Sequence, residues 1–207
     1  MDSNWASDHL QVIRTIMERS ALYRRALAPI MLAVGVMGVA GAVVPCFTPI
    51  ETNRAFAMYW MVVGILAVAF AYWLARRQAL SEDEPFWSPP TRRVTQALAP
   101  GLFAGLVPGL LMMVAGDKLP NAAWLLAVAW VVLYGCALHA AGFFMQRGIK
   151  LFSRSFVFVG CSVLFAAAFV PELRTAEAAH YVMGGVFGLL HLAYGIYLYF
   201  TERRKRS

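Results

Sequence analysis

Residues 122–145, AAWLLAVAWVVLYGCALHAAGFFM, form a run of 24 residues without a single Asp, Glu, Lys or Arg. An α-helix needs about 20 apolar residues to cross the roughly 30 Å hydrocarbon core of a bilayer. The run is apolar on all sides, whereas a helix on the surface of a soluble protein carries an apolar stripe and a polar face. The run therefore predicts a transmembrane helix.

Five further stretches have the same character. Together the six predict transmembrane helices at Ala26–Val44, Ala55–Ala75, Ala97–Ala115, Ala122–Met145, Leu151–Val170 and Ala178–Phe200. Hydrophobic residues make up 60% of the 207 residues, and the mean hydropathy is +0.62, whereas a soluble domain is about 45–50% apolar. We expect an all-α antiparallel bundle that forms a single integral membrane domain over 1–207, with six helices within 26–200 and a basic tail at 201–207.

The basic residues concentrate at one end of these helices. Fifteen of the 18 Lys and Arg residues fall in the N-terminal segment, the second and fourth connections and the tail, and only Arg54, Lys118 and Arg174 fall on the other side. The positive-inside rule predicts that both termini are cytoplasmic, and the basic fringe is expected to favour anionic lipid headgroups. This distribution explains the net charge of +7 without a nucleic-acid partner.

Two segments outside the spans carry further signals. Within residues 1–25, positions 8–23 place their apolar side chains on one helical face, which predicts an amphipathic helix in the membrane interface or a cytoplasmic extension that packs on the bundle. The second connection contains Phe86 and Trp87, which are candidates for interfacial anchoring or for docking a partner. The following Pro89 and Pro90 are expected to prevent helix formation there.

The third span has glycines at every fourth position, Gly101, Gly105 and Gly109, which place a smooth face along one side of the helix. Such a face allows close helix packing. Pro108 in mid-span is expected to leave a backbone carbonyl without its helical partner. Gly105 and Pro108 therefore allow two interpretations, a packing face or the wall of a ligand cavity.

His139 and His191 are ionisable residues inside spans, at similar depths in the half near the basic end, with Tyr134 and Tyr194 nearby in sequence. Intramembrane ionisable residues are candidates for functional sites. Three interpretations stay open: hydrogen bonds that pin helices together, a ligand site formed with these tyrosines, and a haem held by two axial histidines.

A metal site is a further alternative for the same region. Cys136 lies one helical turn from His139, and Cys161 and His191 complete four ligands of the types that Zn and Cu prefer. The three cysteines otherwise predict free, buried thiols rather than disulfides. We expect His180, near the other membrane face, to be hydrated.

No catalytic motif is present, and the spans contain no paired carboxylates, which argues against an enzyme and against coupling to protons or cations. Three classes of function remain. They are binding or transport of a small uncharged or lipophilic molecule in a cavity between helices, a haem or metal protein, and a membrane-anchored interaction partner or homo-oligomer.

Three stretches carry a resemblance: EPFWSPPTRRV (Glu84–Val94), YGCALHAAGFF (Tyr134–Phe144) with RGIKLF (Arg147–Phe152), and HLAYGIYLYFTE (His191–Glu202). They resemble a family of small six-span bacterial inner-membrane proteins of unknown activity, over most of the chain. The resemblance implies a location in the bacterial cytoplasmic membrane, and it implies no activity, cofactor or functional residue.

Overall fold

Each apolar run forms a helix. The computed structural model describes residues 27–83, 85–145 and 147–203. Its helices are α1 (Leu27–Cys46), α2 (Asn53–Ser81), α3 (Pro89–Ala115), α4 (Ala122–Ala141), α5 (Arg147–Phe169) and α6, which joins Ala176–Val182, Met183–Leu189 and Leu190–Arg203. Within the described residues all six are long and apolar enough to cross a membrane, and no strand is present. The all-helical prediction is therefore confirmed, while the amphipathic helix predicted at 8–23 lies outside the described residues.

Local capping explains where several helices begin. The Thr52 and Thr175 hydroxyls accept hydrogen bonds from the N–H groups of Ala55 and Ala178, each at 3.1 Å, and so start α2 and α6. The expectation that Pro89 and Pro90 prevent a helix is wrong. They form the first turn of α3, where a missing N–H costs nothing because no helical carbonyl is placed to accept it.

α4 is the central helix. It packs against α2, α3, α5 and α6, and 56% of its apolar window is buried, compared with 17% for α2 and α3. Its sequence suits this position because small residues alternate with branched ones and no charge interrupts them.

Glycines allow α1 and α6 to approach until their backbones touch. A Cβ on Gly38 would lie 2.8 Å from Gly188 Cα, and a Cβ on Gly188 would lie 2.6 Å from the Val39 nitrogen. Such distances leave no room for any side chain. The contact lies along the middle segment of α6, Met183–Leu189, which is wound as a π-helix.

The glycine face of α3 packs against α4. A Cβ on Gly101 would lie 2.6 Å from Ala137 Cβ, and one on Gly109 would lie 3.0 Å from the Trp130 ring. The Trp130 indole N–H donates to the Gly105 carbonyl at 2.7 Å, beside the turn that Pro108 deprives of an N–H. Gly105 thus belongs to a packed interface covered by Trp130, and neither Gly105 nor Pro108 lines the cavity beside His180 of α6.

Many large hydrophobic side chains lie on the outside of the bundle. Large hydrophobic side chains such as Ile65 and Leu66 of α2, Phe103 of α3 and Phe158 and Phe165 of α5 are exposed. Such a surface is compatible with a multi-pass helical membrane protein. We call the end with the loops 47–52, 119–121 and 170–175 the short-loop end, and the opposite end the basic end.

Candidate functional site

His191 is enclosed by aromatic rings in the interior of the bundle and is fully buried. Phe152 and Phe156 of α5 contact its ring edge-on at centroid distances of 5.1 and 5.3 Å, and Phe187 stacks on it at 5.4 Å. These rings come from positions one turn apart on α5 and α6, so each helix presents an aromatic face to the histidine.

Both ring nitrogens of His191 have protein partners. Nδ1 lies 2.6 Å from the Phe187 carbonyl, which can only accept, so Nδ1 carries the proton. In the neutral ring Nε2 then accepts from the Tyr134 hydroxyl at 2.8 Å. The pair Tyr134–His191 ties α4 to α6, as the helix-pinning interpretation expects, and leaves neither nitrogen free for a haem iron in this arrangement.

His139 belongs to a separate network. The Ser153 hydroxyl donates to the Lys150 carbonyl at 2.8 Å, so it accepts from Nδ1–H of His139 at 3.2 Å. His139 thereby connects α4 to α5 and makes no hydrogen bond with His191. The ligand site that the sequence suggested around both histidines is thus divided into two hydrogen-bonded centres.

Tyr194, the last residue of that suggested site, stacks on Phe152 at 4.5 Å with an interplanar angle of 13°. Its buried hydroxyl has no hydrogen-bond partner among the described residues. The hydroxyl lies against Gly148 of α5, where a Cβ would be only 2.7 Å away. Tyr194 therefore fills space between α5 and α6 and does not bond to either histidine.

The residues proposed as metal ligands are not assembled. Cys136 and Cys161 are exposed, whereas His191 is fully buried. Across 27–83, 85–145 and 147–203, no three His, Cys, Asp or Glu side chains are close enough to share a metal ion. The prediction of buried cysteines is wrong, because all three cysteines are exposed.

Phe86 and Trp87, the predicted docking pair, lie in the turn before α3. The Phe86 ring contacts Tyr72 of α2 edge-on at 4.8 Å, and the Thr91 hydroxyl donates to the Phe86 carbonyl at 2.8 Å. Trp87 is 59% exposed. The turn is thus held at Phe86 and presents Trp87 outward.

A further buried histidine, His180, lies near the short-loop end, and the sequence analysis did not predict its burial. His180 is only 4% exposed, so the expectation that it is hydrated is wrong. Its Nδ1 accepts from the Trp60 indole N–H at 3.0 Å, and its Nε2–H donates to the Ile50 carbonyl at 3.1 Å. Phe56 contacts the ring edge-on at 4.9 Å. The sequence did contain one indication of an aromatic cluster here: Phe56, Tyr59 and Trp60 lie on one face of α2 at helical spacing.

Hydrogen bonds to backbone carbonyls hold the surroundings of His180 in place. Asn53, at the start of α2, donates to the carbonyls of Gly116 and Leu119 at 2.9 and 2.8 Å and accepts from the Ala123 N–H at 2.9 Å. The Tyr59 hydroxyl donates to the Gly41 carbonyl of α1 at 2.6 Å. Hydrogen bonds therefore connect the beginning of α2 to α1, to the α3–α4 loop and to α4.

A cavity of about 340 Å³ opens beside His180 at the short-loop end. Its volume falls within the range of about 300–1,000 Å³ that ligand pockets occupy. It lies between the end of α1, the loop that follows, and the first turns of α6. Its lining consists of Ala42, Pro45, Cys46, Phe47, Pro49, Ile50, Glu51, Ala176, Glu177, His180 and Tyr181.

The fold thus defines an all-helical protein whose six described helices are long and apolar enough to span a membrane. Comparisons with protein-family models, with curated proteins and with solved structures found no match to this chain. The resemblance to six-span bacterial proteins gains no support from them. The buried His180 and His191 and the cavity beside His180 are therefore the features on which a functional proposal rests.

Proposed function

We propose that this chain is a multi-pass protein of the bacterial inner membrane that binds a small, largely apolar molecule in the cavity beside His180. The observation that carries the proposal is the cavity itself, an opening of about 340 Å³ lined by Phe47, Ile50 and Tyr181 as well as by polar groups. Concave openings that combine apolar surface with polar groups able to orient a ligand are typical of small-molecule sites.

The proposed orientation places the cavity on the periplasmic side. The basic end carries Arg76, Arg77, Arg92 and Arg93 at the connection between α2 and α3, which supports a cytoplasmic position for that end. These side chains are also suited to bind anionic headgroups of the inner leaflet. The short-loop end then faces outward, where a ligand reaches the cavity without crossing the bilayer.

Cys46 allows both parts of the proposal to be tested, because its thiol is exposed and lines the cavity. In a Cys136→Ser, Cys161→Ser background, a membrane-impermeant maleimide should modify Cys46 in intact spheroplasts. If Cys46 reacts only after the membrane is broken, the proposed orientation is wrong.

Ligand binding should slow that modification. With the protein in maltoside micelles, we expect choline or 3,3-dimethylbutan-1-ol to protect Cys46, since either fits the cavity volume. The matched control carries Cys46→Ser and Leu119→Cys, which moves the thiol to an exposed loop position outside the cavity. If neither compound at millimolar concentration slows the reaction of Cys46 relative to this control, the cavity is not a binding site.

A second candidate function, docking of another protein, is favoured by Trp87, which is 59% exposed in an ordered turn. Exposed tryptophans often anchor interfaces. A partner that co-purifies with the wild type and is lost with Trp87→Ala, but is retained with Trp73→Ala, would support this function. Trp73 is a matched control because it is 48% exposed on α2. Equal loss with both variants would count against it.

A further inference from the structure

We infer that the cavity beside His180 recognises a small organic cation, an ammonium group with apolar substituents. This inference rests on the proposed function and names the chemistry of its ligand. It differs from the uncharged ligand that the sequence suggested, because the carboxylates concerned lie at the short-loop end and not within the apolar runs.

The cavity has a negative lining. Glu51, from the loop after α1, and Glu177, from the first turn of α6, both line it, and no Lys or Arg does so among the described residues. The Tyr181 hydroxyl donates to the Glu177 carboxylate at 3.0 Å, in an exposed position one helical turn away. The two elements come from distant parts of the sequence, and the bundle brings their carboxylates to one opening.

His180 does not offset this charge. Its Nδ1 accepts a hydrogen bond from Trp60 and therefore carries no proton, so the ring is neutral in this arrangement. The three basic residues of the short-loop end, Arg54, Lys118 and Arg174, are not among the lining residues. Arg54 donates to the Met113 carbonyl at 2.6 Å and Arg174 to the Ala167 carbonyl at 2.8 Å. A cation in the cavity would meet two carboxylates without a competing positive charge from the lining.

The remaining lining suits an organic cation better than a metal ion. Phe47 and Tyr181 are aromatic residues of the lining, a residue type that attracts ammonium groups, and Pro45, Pro49 and Ile50 add apolar surface. A metal ion would require more ligands than these two carboxylates supply, and no described group of three His, Cys, Asp or Glu residues is available to hold one.

The test compares two molecules of nearly equal shape, choline and its neutral analogue 3,3-dimethylbutan-1-ol. Protection of Cys46 from maleimide is measured in maltoside micelles, in the background without the other cysteines. We expect choline to protect at about tenfold lower concentration than the alcohol, which corresponds to about 1.4 kcal/mol. Equal potency would overturn this inference while leaving the proposed function intact, whereas protection by neither compound would overturn the proposed function.

Variants that neutralise single carboxylates test which residues bind the cation. Glu51→Gln and Glu177→Gln should each weaken protection by choline and leave protection by the alcohol unchanged. Glu172→Gln is the matched control, because Glu172 is a carboxylate of the α5–α6 loop outside the cavity lining. If Glu172→Gln weakens choline protection as much as the other two variants, general surface charge and not the cavity is responsible, and the inference is wrong.

A lipid headgroup and a free amine share this chemistry, so the source is tested separately. In nanodiscs of phosphatidylglycerol alone, choline should protect Cys46 as it does in micelles, which supports a free amine. If phosphatidylethanolamine nanodiscs protect Cys46 without added ligand, and Glu51→Gln abolishes that protection, the cation is a lipid headgroup and the inference still holds. If Cys46 shows no Glu51-dependent protection in either kind of nanodisc, the inference is wrong.

Discussion

The two buried histidines of α6 differ in what surrounds them, although their hydrogen bonding is the same. His191 and His180 each accept from one aromatic side chain and donate to one backbone carbonyl. His191 is fully buried among aromatic rings of α4, α5 and α6, whereas His180 borders a cavity of about 340 Å³. A buried, satisfied histidine is therefore a packing element in both places, and the adjacent open volume is what distinguishes a candidate site.

The largest expected effect follows from removing the enclosed ring. His191→Ala should lower the free energy of unfolding by about 3–5 kcal/mol, because it creates a cavity and leaves the Tyr134 hydroxyl without its acceptor. His180→Ala should cost about 1–3 kcal/mol, because water from the adjacent cavity can replace the lost partners. Denaturant unfolding in micelles measures both, and an equal or reversed order would contradict the distinction between the two centres.

The next prediction removes one hydrogen bond from each centre. Tyr134→Phe leaves Nε2 of His191 without a donor in a closed core, so we expect a loss of about 1–3 kcal/mol. Trp60→Phe removes the donor to His180 and also leaves space in the core, because Trp60 is only 4% exposed, so we expect a similar loss of about 1–3 kcal/mol. The same unfolding assay measures both variants, and a Tyr134→Phe loss below about 0.5 kcal/mol would contradict the hydrogen bond between Tyr134 and His191.

The π-helical segment between the two histidines should be sensitive at one glycine and tolerant at another. Gly188→Ala should destabilise the protein by about 1–3 kcal/mol, because its Cβ would lie 2.6 Å from the Val39 backbone nitrogen. A Cβ added at Gly185 would have no atom within 4 Å, so Gly185→Ala should change the free energy of unfolding by no more than about 0.5 kcal/mol. Thermal unfolding of both variants checks this pair, and similar values would mean that α1 and α6 are not in backbone contact.

The smallest expected effect lies far from both centres. Trp87→Ala should change the free energy of unfolding by less than about 0.5 kcal/mol, because the side chain is 59% exposed. A loss above 1 kcal/mol in the same unfolding assay would mean that Trp87 stabilises the fold. That result would remove the reason to consider it a docking residue.

Helix number and location were predictable because hydropathy is a local property. Each apolar run predicts its helix without reference to the others. The predicted bounds are less accurate: α2 continues to Ser81, beyond the predicted Ala75, and α4 ends at Ala141, before the predicted Met145. The packing role of the α3 glycines was likewise predictable, because small residues at helical spacing create one smooth face. What such a face contacts was not predictable, as Trp130 over Gly105 shows.

The sequence by itself determined six apolar helices, a basic end and the positions of four histidines along the chain. Only the tertiary structure decided which histidine lies beside a cavity, because Trp60 and Ile50 are 120 and 130 residues away from His180. Hydrogen-bond partners at such separations depend on how helices pack, and packing depends on shape complementarity over whole helix faces. For the same reason Glu51 and Glu177, which no local pattern connects, line one opening.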